Sequence, residues 1–120
     1  MLMQADKSLN EYVVHDLLSQ IRGITSRAMF GGYGIYKNGK IFAIIADGEL
    51  YFKVGDSNKA DYQKHDSKPF VYDAHGKQME MSYWQLPQEI MDNKDKVAIW
   101  VEKSLAVAKE SKKRKKSSQS

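Results

Sequence analysis

Residues 28–54 read "AMFGGYGIYKNGKIFAIIADGELYFKV", and five glycines share this stretch with a dense run of aromatic and aliphatic side chains. Two kinds of structure use so many glycines: a loop that cradles a phosphate, and a sheet with tight turns. A phosphate loop leads into a helix whose first N–H groups point at the anion. Here alternation and turn signals continue from Gly34 to Val54 with no 3.6-residue apolar period, so the stretch is read as a sheet. Asn38-Gly39 and Asp47-Gly48 are strong hairpin dipeptides, because both residues of a type I′ turn take positive φ. They predict three meander strands, roughly 28–37, 40–46 and 49–54.

Two-residue loops at both dipeptides fix a register. Lys37 then faces Lys40, Gly34 faces Ala43, Tyr33 faces Ile44, and Ile44 faces Tyr51. Strict alternation gathers Gly34, Tyr36, Ile41, Ala43, Ile45, Leu50, Phe52 and Val54 on one face, the predicted core, with Gly34 leaving room for a helix to approach. The other face receives Tyr33, Ile35, Phe42, Ile44, Glu49, Tyr51 and Lys53. It is too apolar for a face left in water, which makes Tyr33, Phe42, Ile44 and Tyr51 the candidate partner surface. A cover supplied by the chain itself is the competing expectation.

Working outward, Ser8 and Glu11 stand at capping-box spacing, and Leu9, Tyr12, Val13, Leu17 and Ile21 recur at helical intervals up to Gly23. The expectation is a helix over about 9–22. "SNKADYQKH" (57–65) predicts a short polar helix capped by Asp56 or Ser57, and "PFVYDA" and "KQMEMSYW" predict strands joined at His75-Gly76. Asp92 is the predicted cap of a long helix striped by Val97, Trp100, Val101, Leu105 and Ala108. The expected class is α+β: a two-layer α/β fold with α-β(3)-α-β(2)-α order and a five-stranded antiparallel sheet.

At 120 residues and 42% hydrophobic the chain is sized for one domain that buries a core without staples. With no cysteine it has no disulfide, thiolate metal site or thiol nucleophile. Neither a signal peptide nor a spanning apolar run is legible, and the expectation is a soluble cytoplasmic protein away from membranes. The net charge of +4 arises from residues 109–120, which hold six Lys/Arg against one Glu, so that residues 1–108 are near neutral. The predicted organisation is therefore a domain over 1–108 and a disordered basic tail over 109–120, with Lys112, Lys113, Arg114, Lys115 and Lys116 as a candidate nucleic-acid contact that attracts phosphates without reading sequence.

No catalytic pattern emerges. His15, His65 and His75 lack metal-ligand spacing, no carboxylate pair is sequence-close, and no serine sits in a strand-to-helix elbow. No cofactor, metal or catalytic residue is expected.

Arg27, the run Met29-Phe30-Gly31-Gly32, Gly34, Gly39, Leu50-Tyr51, Lys53, Pro69-Phe70, Tyr83-Trp84 and Pro87 together resemble the pattern of the N-terminal domain of the TfoX/Sxy family of bacterial competence regulators, over residues 8–108. The resemblance implies the two-layer fold expected above, and a transcriptional coactivator role alongside the cyclic-AMP receptor protein for full-length members. Those members carry a second, helical C-terminal domain, and this chain resembles the stand-alone form. The functional expectation is a non-enzymatic regulatory protein-interaction domain, competence coactivator-like, whose partner is a transcription regulator or a second copy. The alternatives are direct nucleic-acid binding through the basic tail and the aromatic face, and an unrecognised small-molecule enzyme.

Overall fold

A computed structural model describes residues 2–29 and 31–119, with side chains over 6–29 and 31–109. Helix α1 (Leu2–Tyr12) runs into a π-helical turn, Val13–Leu17. The chain then forms β1 (Ile24–Met29), β2 (Gly32–Lys37), β3 (Lys40–Ala46) and β4 (Glu49–Lys53). Helix α2 (Lys59–Lys64) leads to β5 (Pro69–Ala74) and β6 (Lys77–Gln85), and the short α3 (Gln88–Met91) precedes α4 (Lys94–Gln119). The class is α+β with one antiparallel sheet, but the sheet has six strands in the order β1-β2-β3-β4-β6-β5 instead of the expected five.

The sixth strand comes from the two adjacent glycines. Gly31 adopts φ +77°, which breaks the predicted strand 28–37, and the chain folds back so that Met29 pairs with Gly32 and Arg27 with Gly34. The three other hairpins turn as type I′ chemistry requires: Asn38-Gly39, Asp47-Gly48 and His75-Gly76 all have positive φ at both positions.

The predicted register holds between β3 and β4, where Ile44 faces Tyr51 and Ile45 faces Leu50, but between β2 and β3 it holds only next to the turn. Lys37 faces Lys40 and Tyr36 faces Ile41, but Ile35 then faces Ala43, Gly34 faces Ile44 and Tyr33 faces Ile45, leaving Phe42 as a bulged residue. The cause is the run Ile41-Phe42-Ala43-Ile44-Ile45, in which strict alternation would expel either Phe42 or Ala43 from the core. The bulge turns both inward, and both are 0% exposed. Six face assignments reverse as a result. Tyr33, Ile35 and Phe42 belong to the helix side, while Gly34, Tyr36 and Ile41 lie on the opposite face.

The first helix also departs from expectation. It begins at Leu2, so Ser8 lies within it and caps nothing, and it widens at Val13, whose carbonyl accepts from Leu18 N–H. The widened turn delivers Val13, Leu17 and Leu18 together into the core. Asn58, not Asp56 or Ser57, stands before α2; its amide ties backwards, accepting from Gly55 N–H and donating to the Lys53 carbonyl. Asn93, not Asp92, caps α4 by accepting from Asp95 and Lys96 N–H.

All the helices serve one face. Val97, Trp100 and Val101 of α4 join Val13, Leu17, Ile35, Phe42, Phe52, Tyr62 and Ile90 in a single cluster. Ser104, invisible to an apolar stripe, is fully buried there because its hydroxyl donates to the Lys53 carbonyl at 2.9 Å. Exposed ion pairs link α4 to β2 (Lys37–Glu102, 2.8 Å), to the π turn (Lys94–Asp16, 2.7 Å) and to α2 (Lys103–Asp61, 2.7 Å). Each contributes at most about 1 kcal/mol, so the apolar cluster holds the layers together. The helix continues unbroken past Ala108, where the sequence predicts the domain to end; the side chains of Lys112, Lys113, Arg114, Lys115 and Lys116 lie outside the described ones.

The bulge separates two glycines that look alike in sequence. A Cβ on Gly32 would collide with the Ile45 carbonyl oxygen, a backbone atom that cannot yield. The atoms nearest a Cβ on Gly34 would be side-chain atoms of Met29, Ile41 and Tyr36, at 2.6–3.2 Å. Gly32→Ala is expected to destabilise the fold by about 1–3 kcal/mol and Gly34→Ala by less than about 1 kcal/mol. Urea denaturation of both variants measures this, and equal losses would contradict the outward placement of Gly34.

Candidate functional site: the open face of the sheet

The face away from the helices is built by strand register. Arg27, Gly34, Ile44, Tyr51 and Gln85 stand side by side across β1, β2, β3, β4 and β6, and next to this row Tyr36 pairs with Ile41 and Lys53 with Tyr83. Gly34 has no side chain, and Met29, Tyr36 and Ile41 close over it, so an interior glycine becomes the floor of an apolar patch. Phe70 of β5 extends the patch by meeting Tyr51 edge-on, with ring centroids 5.1 Å apart.

Two cations sit on this face without carboxylate partners among the described residues. The Arg27 guanidinium lies 5.8 Å from the Tyr36 ring centre and the Lys53 ammonium 5.1 Å from that of Tyr83. Such contacts hold a charge over an apolar surface while leaving it able to meet an incoming anion. Glu49, beside Tyr51 on β4, accepts from Gln85 Nε2 at 2.7 Å. Partial burial pushes the Tyr51 phenol up, and the Glu49 and Asp47 carboxylates add to it. Burial likewise raises Tyr83, with the neighbouring Tyr36 contributing.

Of the four residues expected on a partner surface, Ile44 and Tyr51 lie on this open face. Tyr33 and Phe42 do not: Tyr33 packs against the core, and Phe42 is buried against the Phe52 ring at 5.5 Å. In their place the fold brings Arg27, Tyr36, Ile41, Phe70 and Tyr83. The five consecutive apolar residues 41–45 carried the signal for this exchange, since no alternating strand can place them all.

Nearby, the β5–β6 ribbon runs beyond its pairing with β4 and exposes Val71, Tyr72 and Met79, each more than 40% accessible. A cleft of about 370 Å³ where β4, β6 and α4 meet is lined by Lys53, Asp56, Lys59, Glu80 and Trp84, with charges of both signs. The three histidines stay apart in role. His15 is exposed on the π turn, His65 contacts Glu89 and the Trp100 ring, and His75 occupies a turn. Among the described residues no three His, Asp or Glu side chains group as a metal site would need, and no helix is long and apolar enough to cross a membrane.

A two-layer α+β domain with all helices on one face and an aromatic, cation-edged sheet on the other defines the class. The TfoX N-terminal domain model matches residues 16–108, and the chain belongs to that family. It is similar to Protein Sxy of Escherichia coli (strain K12), with 24% identity over 86 residues, covering 72% of this chain and 41% of that relative. The chain thus spans less than half the length of the relative it matches. Phe30, part of the resembling motif, lies outside the described residues.

The raised phenols carry a pH dependence. Below the unfolded tyrosine value of about 10, both states keep the proton and the contribution is constant. As pH rises above it, the unfolded phenols ionise while Tyr51 and Tyr83 resist, so stability falls. Tyr83→Phe is expected to flatten this alkaline loss, read as urea midpoints compared between about pH 8 and pH 11. Identical slopes in variant and wild type would show that Tyr83 titrates as an exposed phenol.

Proposed function

We propose that this chain is a regulatory, non-enzymatic domain that acts by docking a protein partner on the open face of its sheet, in the manner of a competence coactivator. The observation that carries the reading is the row Arg27–Gly34–Ile44–Tyr51–Gln85, where apolar and aromatic side chains lie flanked by cations that lack carboxylate partners among the described residues. A face of this kind favours an apolar contact edged with acidic groups. Membership of the TfoX N-terminal family supports the regulatory class.

Ile44→Lys tests it. Ile44 is half-buried at the centre of the face, so a lysine stem there costs the free domain little, whereas docking would strand its charge. In a deletion strain the wild-type gene is expected to restore the transcript profile, and Ile44→Lys to fail at equal protein level and unchanged melting temperature. Full complementation by Ile44→Lys would sink the reading.

A second reading, direct nucleic-acid binding, rests on one specific placement. Lys109 and Ala108 of α4 line a shallow pocket with Tyr36 and Ile41, so the basic segment starts at the rim of the aromatic face. Truncation after Ala108 is expected to leave the melting temperature unchanged and to remove salt-sensitive DNA binding in a retardation assay. DNA affinity that survives truncation and still falls with salt would move the contact onto Arg27 and Lys53.

A further inference from the structure

The two edges of the sheet are finished differently. The β5 edge begins at Pro69, loses register between Pro69 and Val71, and exposes Asp73, three features that discourage another strand from adding to it. The β1 edge, Ile24–Met29, has no proline and no bulge, and β2 is its one neighbour in the sheet.

Its hydrogen-bonding phase can be read. Asn38 N–H donates to the Gly23 carbonyl at 2.9 Å, so Gly23 and Asn38, which stand opposite each other in the register of β1 and β2, take the bonded phase of the antiparallel ladder. Bonded pairs recur every second residue, so Thr25, Arg27 and Met29 bond to Tyr36, Gly34 and Gly32. The N–H and C=O groups of Ile24, Ser26 and Ala28 therefore point away from the sheet at the open edge.

We propose that two copies of this chain join through antiparallel pairing of their β1 edges, with the two-fold axis at Ser26. Bonded pairs between outward-facing residues then set Ser26 against Ser26 of the second copy, and Ile24 against Ala28. About six backbone hydrogen bonds form. This phase places Arg27 opposite Thr25 of the second copy, so the two guanidinium groups never face each other. Small Ser26 side chains meet on the axis without a clash, and half-buried Ile24, already packed on the core, gains an apolar neighbour in Ala28. The product is one continuous twelve-stranded sheet in which two copies of the aromatic face lie side by side. Edge pairing does not depend on what that face binds.

Sedimentation equilibrium across a wide concentration range is expected to give a mass approaching twice 13.7 kDa. Ser26→Pro removes an N–H that bonds to nothing in the single copy, so it is expected to keep the circular dichroism spectrum and melt while holding the mass at one chain. Because the chain has no cysteine, Ser26→Cys supplies a geometric readout. A bonded pair sets Cα atoms about 5.5 Å apart, within disulfide reach, and Ser26→Cys is expected to cross-link on mild oxidation. Ala28→Cys, which faces Ile24 of the second copy, is expected to stay uncross-linked. A single-chain mass throughout, a dimer that persists in folded Ser26→Pro, or equal cross-linking at both positions would each overturn the proposal.

Discussion

The β-bulge at Phe42 is the constraint on which the rest of the molecule depends. Phe42 and Ala43 both enter the core, and the ladder between β2 and β3 absorbs one extra residue so that they can. A buried phenylalanine is worth about 3–5 kcal/mol against alanine, more than one disturbed ladder position costs, so packing overrides regular pairing. Once the bulge is in place β2 is committed. Ile35 and Tyr33 meet the helices, and Gly34 and Tyr36 are left on the outside.

The helix layer follows from the face the bulge creates. The π turn widens the first helix where Val13, Leu17 and Leu18 reach Phe42 and Phe52, and α4 crosses the same surface through Val97, Trp100 and Val101. The buried hydroxyl of Ser104 and the amide of Asn58 both bond the Lys53 carbonyl, holding the end of β4 against α4 and the approach to α2. Tyr62 occupies the centre of this junction, with the Trp100 ring 4.6 Å away. Burial pushes its phenol far above the ordinary tyrosine value, opposed in part by Ser104 and reinforced by Asp61, so the ring stays neutral inside the core.

The proposed docking face lies where the helices are not. With the helices packed on one side, Tyr36, Tyr51 and Phe70 of the other side are only half-buried, while Tyr83 is buried among its neighbours. Their polar ends and the cations over Tyr36 and Tyr83 reconcile that face with water. A rigid, paired sheet presents these groups with less loss of freedom on binding than a loop would.

The sequence by itself determined most of the elements and three of the four hairpin turns. Asn38-Gly39, Asp47-Gly48 and Gly23 act through local backbone chemistry, and the stripe Val97, Trp100, Val101 acts through helical period, so neither needs distant neighbours. Ile44 and Tyr51 were legible as outward residues because they lie on the regular side of the bulge. Only the tertiary structure decided that Phe42 faces inward, that the turn at Gly31 splits off a sixth strand, that Ser104 is buried, and that Arg27, Tyr36 and Tyr83 share one face. Each of these depends on what lies across a sheet or under a helix: Phe52 for Phe42, Gly34 for Arg27, the Lys53 carbonyl for Ser104. Contacts between residues far apart in the chain set those choices, and local pattern carries no record of them.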